Sequence, residues 1–206
     1  MIALLLALIV GVACDRDEPT VSAHRDETPC PAGLKLDSAR AERVLTLLTS
    51  VEAGRGVHDR ARAPFRICFG PRDETAVTAD GAVLLDTRVP EAESAARLGH
   101  LLLHFVDGVR PEPLPTPDPD VRSCESAVEE SVAAEARAHA LELELRKALG
   151  VTHPARTFPF ENEFWTTPPT GRDALLRARF LGQMCSRGRT FSGEKVLPRT
   201  PSPKDL

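Results

Sequence analysis

The chain has no tyrosine among its 206 residues, so no phenol is available to any chemistry it performs. It has no Cys-x-x-Cys spacing either, which removes the usual pattern for thiol redox exchange and for cysteine-ligated zinc. Lysine is scarce, with only Lys35, Lys147, Lys195 and Lys204. The net charge is -4, far from the basic balance that a nucleic-acid partner demands. No internal repeat is present. The single long apolar run, Ile2 to Val12, falls short of the roughly 20 residues that a membrane-crossing helix needs.

That run is the first positive feature. Its length and its Ile, Leu, Ala and Val content fit the apolar core of a secretory signal. It stops at Gly11-Val12-Ala13-Cys14, and Asp15-Arg16-Asp17-Glu18 follows at once. This junction resembles the lipobox of bacterial lipoproteins, although Gly11 stands where that family prefers Leu and no Lys or Arg precedes the run. The resemblance implies that residues 1–13 are removed as a signal peptide and that a lipid on Cys14 anchors the chain to a membrane, on the periplasmic or cell-surface side. A conventional cleaved signal, with Cys14 as a spare thiol, is the alternative. Export of either kind places the chain where cysteines pair. With Cys14 set aside, Cys30, Cys68, Cys124 and Cys185 suit two disulfides, in any of three pairings.

Residues 14–33 are polar, carry Pro19, Pro29 and Pro31, and read as a flexible tether. Asp37-Ser38 can cap a helix whose Val44, Leu45, Leu47, Leu48 and Val51 follow the helical period. Gly54 and Gly56 are expected to break it, with a second helical piece reaching Ala63. Phe65 to Phe69 alternates like a strand, and Asp80-Gly81 between two short β-prone runs signals a hairpin. Pro90 opens a helix with Glu91 and Glu93 in its first turn, which runs to about Asp107 and stops at Gly108. Segment 111–120 alternates proline with polar residues and predicts an exposed, extended loop. A long Ala-, Leu- and Glu-rich helix should follow from about Ser123 to Gly150. Residues 151–170 look irregular, anchored by Phe158, Phe160, Phe164 and Trp165, and Thr170-Gly171-Arg172-Asp173 begins a last helix to about Ser186. After Gly188 the chain is polar and Pro-rich, which predicts a disordered tail over 188–206. The expected fold class is α+β: one domain over 34–187, with a small, mostly antiparallel sheet packed against three or four helices and tied by two disulfides.

Chemistry concentrates in His100-Leu101-Leu102-Leu103-His104, which stacks two histidines on one helix face. On a helical wheel, Ala95, Leu98, Leu101, Leu102, Leu103, Phe105 and Val106 cover most of the circumference. Glu93, Arg97, His100, His104 and Asp107 fill one narrow polar stripe. In the next helix Glu130 falls inside the stripe of Ala127, Ala134, Ala138, Leu141, Leu145 and Ala148, where an unpaired carboxylate would be costly. A metal or a cationic side chain such as Arg97 would relieve it, and two His plus one Glu is a ligand set of catalytic zinc.

A hairpin, a helix with paired histidines, and a second helix with a Glu further on are similar to the zincin metallopeptidases of the gluzincin type. The lead-in Val83-Leu84-Leu85-Asp86 through Ala95 to His100 resembles that of their active-site helices. The resemblance covers roughly residues 40–150 and implies a zincin-like fold with zinc on His100, His104 and Glu130, or less directly Glu129. It also exposes a departure. The family motif is HExxH, whose Glu is the general base, and Leu101 occupies that position here. Losing such a group costs about 10²–10⁴ in rate. No tyrosine can polarise an oxyanion, and nothing in the sequence places His139 or His153 for that role. The leading expectation is therefore a non-catalytic, metallopeptidase-like binding or structural module of the cell envelope, with an envelope protein as possible partner. One rival keeps zinc and uses a non-standard base, Glu129. Another has no metal: the histidines sit on a solvated face bridged to Glu93 and Asp107, and the domain only meets a protein.

Overall fold

The structure, a computed structural model, describes residues 29–61, 65–71, 76–78, 81–107, 121–155 and 157–187. The signal, Cys14, most of the tether, the Pro-rich segment 111–120 and the tail lie outside the described residues.

Asp37 caps α1 (Ser38–Ser50) by accepting from the Arg40 backbone N–H at 2.9 Å. The break after α1 falls at Val51, which is extended, and not at the glycines. Gly54 and Gly56 lie inside α2 (Glu52–Arg60). Gly54 is there because the two helices nearly touch: a Cβ on it would fall 2.1 Å from the Leu48 carbonyl oxygen.

Three strands follow the expected runs, β2 (Arg66–Gly70), β3 (Ala76–Val77) and β4 (Ala82–Asp86), and a short β1 (Lys35–Leu36) precedes them unforeseen. The hairpin forms, with Val77 opposite Val83 and Ala76 opposite Leu84. The sheet order is β1-β2-β4-β3. Two of its three pairings are antiparallel, as expected, but the longest, β2 with β4, is parallel, so the sheet is mixed. Alternation sorts its side chains. Ile67, Phe69, Val83 and Leu85 join the main core, while Cys68, Ala82 and Leu84 face the other way. Ala76 of β3 lies beside them, Cys30 and Leu34 pack on that second face, and Cys30 is disulfide-bonded to Cys68. The end of the expected tether is thus tied to the sheet. Cys185 is also disulfide-bonded.

Six α-helices are described, more than the three or four expected. α3 (Glu91–Asp107) and α4 (Val121–Ala148) match the sequence reading closely. The irregular stretch contains a short α5 (Glu161–Thr166), and α6 (Arg172–Arg187) closes the described chain. The long α4 serves two cores. Ala138 and Leu145 enter the one built from the sheet, α1, α2 and α3. Val128, Val132, Ala136 and Leu143 enter a second core with Phe160, Phe164, Leu176, Phe180 and Met184. No described helix is long and apolar enough to cross a membrane.

Candidate metal centre

The turn from β4 into α3 is fixed before the helix starts. The Arg40 guanidinium donates to the carbonyls of Thr87 and Val89 at 2.9 and 2.7 Å, and buried Asp86 accepts from the Arg88 backbone and guanidinium. α3 then packs tightly on α4. At Gly99 a Cβ would lie 2.4 Å from Cδ1 of Leu145, so only glycine permits this approach without displacing that side chain.

Close approach buries the polar stripe of α3 instead of leaving it in solvent. Glu93 and His100 are 2 % exposed and His104 8 %. They meet a matching stripe on α4: Glu135, His139, Glu142 and Arg146. Both stripes step by 4, 3 and 4 residues, the spacing that keeps side chains on one helical face. The two run in opposite senses. Arg146 lies 3.6 Å from Glu93. Arg97 donates to Glu142 at 2.8 Å, and Arg146 donates to the other Glu142 oxygen at 2.6 Å. His104 faces Glu135 at 3.4 Å. Asp107 pairs with Arg137 where described α3 ends.

Charge accounting divides the seam into two parts. At one end Glu93, Arg97, Glu142 and Arg146 balance, and the Ala155 backbone N–H adds a bond to Glu93 at 2.7 Å. At the other end Glu135 meets only imidazoles: His104 at 3.4 Å, His139 at 3.4 Å and His100 at 3.7 Å. No Arg or Lys pairs with it among the described residues. Its Oε2 is buried and accepts no hydrogen bond. Burial opposes its ionisation, but the His104 and His139 imidazoles hold its carboxyl well below the usual range, so it is a carboxylate. Burial, with the Arg97 charge behind it, pushes His100 well below its ordinary pKa, and burial lowers His139 too. A neutral His100 beside an ionised Glu135 is the pair of protonation states that a divalent cation needs.

The geometry suits one. His100 Nε2 and His104 Nε2 face each other at 3.0 Å. Nitrogens bound at about 2.0–2.1 Å on a tetrahedral zinc sit about 3.3–3.4 Å apart. The two rings and the Glu135 carboxylate therefore already outline one face of such a site. Two triples have all ligand atoms within 4.8 Å of one another: His100, His104 and Glu135, and His100, His139 and Glu142. The first is favoured physically, because Glu142 is already committed to two guanidinium cations that would repel a third charge.

The structure thus brings the predicted His100 and His104 together, but not with Glu130. Glu130 and Glu129 are exposed. Glu130 lies seven residues before Arg137, about 10 Å along the helix axis, past the last described residue of α3, so no described part of α3 faces it. Glu135 takes the place expected of it. Arg97, the alternative partner for Glu130, binds Glu142 instead. His139 lies in the seam, fully buried against Phe158 and Phe180, and His153 is exposed. Leu101 packs into the main core, 5 % exposed. Glu135 and Glu142 escaped sequence reading as site residues, and His139 was named there without a place. Their detectable signal was the 4-3-4 spacing shared with α3. No family model, curated protein or solved structure matches the chain.

Proposed function

We propose that this protein is an exported, lipid-anchored envelope module on a zincin-like metallopeptidase domain, holding zinc at His100, His104 and Glu135 without hydrolysing peptides. One observation carries it: Glu135, the seam carboxylate with no guanidinium partner among the described residues, faces two Nε2 atoms 3.0 Å apart. Bound zinc would supply a Lewis acid and acidify a coordinated water. Leu101 stands where a peptidase of this type carries its base, and its side chain belongs to the core. The order β4, α3, α4, with ligands from both helices, agrees with the gluzincin resemblance. On this reading the metal acts as a cross-link between α3 and α4, and the domain's role is to hold a shape or a partner at the membrane surface.

Elemental mass spectrometry on the purified full chain tests it. About one zinc per chain is expected, lost in His104→Ala and Glu135→Ala but retained in Glu130→Ala. No zinc after incubation with excess metal would reduce the cluster to a buried hydrogen-bonded seam and leave the metal-free interaction domain as the better reading.

A further inference from the structure

We infer that Glu142 is the positioning residue of this centre: it accepts the Nδ1 proton of His100 and thereby turns the Nε2 lone pair toward the cation shared with His104 and Glu135. The inference rests on reading the centre as a metal site and adds how that site is tuned.

An imidazole ligand has two nitrogens, and the one away from the metal must hold a proton. Metal-bound histidines commonly donate that N–H to a carboxylate, which fixes the tautomer and raises the basicity of the ligating nitrogen. His100 is placed for this arrangement from both sides. Its Nε2 faces His104 and Glu135 at 3.0 and 3.7 Å, and its Nδ1 faces Glu142 Oε2 at 3.1 Å. The Nδ1 contact is within hydrogen-bond distance, although as it stands it does not complete a hydrogen bond. The ring is 2 % exposed, which shuts out solvent, and the neighbouring His139 already sets its Nδ1 against the Glu135 carbonyl at 3.1 Å.

What qualifies Glu142 is how firmly it is held. It is fully buried, with Arg97 on Oε2 at 2.8 Å and Arg146 on Oε1 at 2.6 Å. Arg146 in turn lies over the Phe158 ring, 4.7 Å from its centroid, and 3.6 Å from Glu93. A carboxylate gripped by two guanidiniums cannot swing away to follow the histidine. It stays ionised and stationary, as an orienting group must. The same grip keeps Glu142 from being a ligand itself. So the two halves of the seam have separate tasks: the ion network fixes Glu142, Glu142 fixes His100, and His100, His104 and Glu135 take the metal.

The test uses the full chain. In metal-free wild type, long-range ¹⁵N–¹H correlation of the histidine rings should show His100 protonated at Nδ1. Zinc affinity, measured by chelator competition with far-UV circular dichroism as a check on folding, should fall about 10–100-fold in Glu142→Gln. Glu142→Asp, which keeps the charge between the arginines but draws it back by one methylene, should also weaken binding. Wild-type zinc binding with unchanged affinity in folded Glu142→Gln would overturn the inference and leave the metal site standing. His100 protonated at Nε2 would overturn it without any variant, and this decides the case if the substitutions unfold the chain. Failure of wild type to bind zinc would sink the metal site and this inference together.

Discussion

Gly54 and Gly56 lie two residues apart on α2, and replacing each with alanine should have opposite effects. In a helix interior, Ala is favoured over Gly by about 0.8–1 kcal/mol. At Gly56 an added Cβ meets nothing within 4 Å, so Gly56→Ala should stabilise the fold by about that amount. At Gly54 the same methyl would sit 2.1 Å from the Leu48 carbonyl oxygen and 2.8 Å from Leu48 Cδ1. An ordinary contact needs 3.4 Å or more, so α2 must move off α1 by over 1 Å. It is not free to do so, because Val57 is 1 % exposed in the core and Leu48 is fully buried on the other helix. Overpacking of this kind costs about 1–3 kcal/mol and should outweigh the propensity gain. Equilibrium urea unfolding followed by far-UV circular dichroism reads both values. With a slope of about 1–3 kcal/mol per molar urea, the two midpoints should move in opposite directions from wild type. Two upward shifts would refute the close approach of α1 and α2.

Two further outcomes test other parts of the molecule. The Cys30–Cys68 bond closes a loop of sequence separation 38, so Cys30→Ser should cost about 4 kcal/mol in the chain-entropy account, read as a lowered urea midpoint. Restoring the HExxH pattern with Leu101→Glu should cost about 3–5 kcal/mol, because the new carboxylate enters the main core uncompensated. It should confer no hydrolysis of unfolded protein substrates. A stable, active Leu101→Glu would show that position 101 faces the metal.

Elements whose boundaries are set locally were legible in the sequence. The Asp37 cap and the turn that closes at Gly81 are decided by neighbours within a few residues, and both appear where expected. The parallel β2–β4 pairing was not legible, because nothing local distinguishes it from an antiparallel partner. Gly54 misled for a similar reason: its helix-breaking tendency is a weak local term, overridden by the need to bring α2 against α1. At the centre, the stripe on α3 was readable because apolar residues surround it. α4 hid its own stripe. It buries two faces, toward α3 and toward α6, and the polar residues between them look like ordinary positions on an Ala- and Glu-rich helix. Glu130 looked buried only on the assumption that one apolar face extends the whole length of α4.

The paired stripes also determine how far α4 can slide. Moved one turn in one direction, Arg146 would come opposite Arg97. Moved one turn in the other, Glu142 would come opposite Glu93. Either shift sets like charges together in a dry interface, where an uncompensated charge costs about 3–5 kcal/mol. An apolar seam would tolerate such slippage far better. The buried charges therefore work as a detent, admitting one alignment of the two helices and penalising its neighbours. The only alignment admitted is the one that sets Glu135 beside His100 and His104.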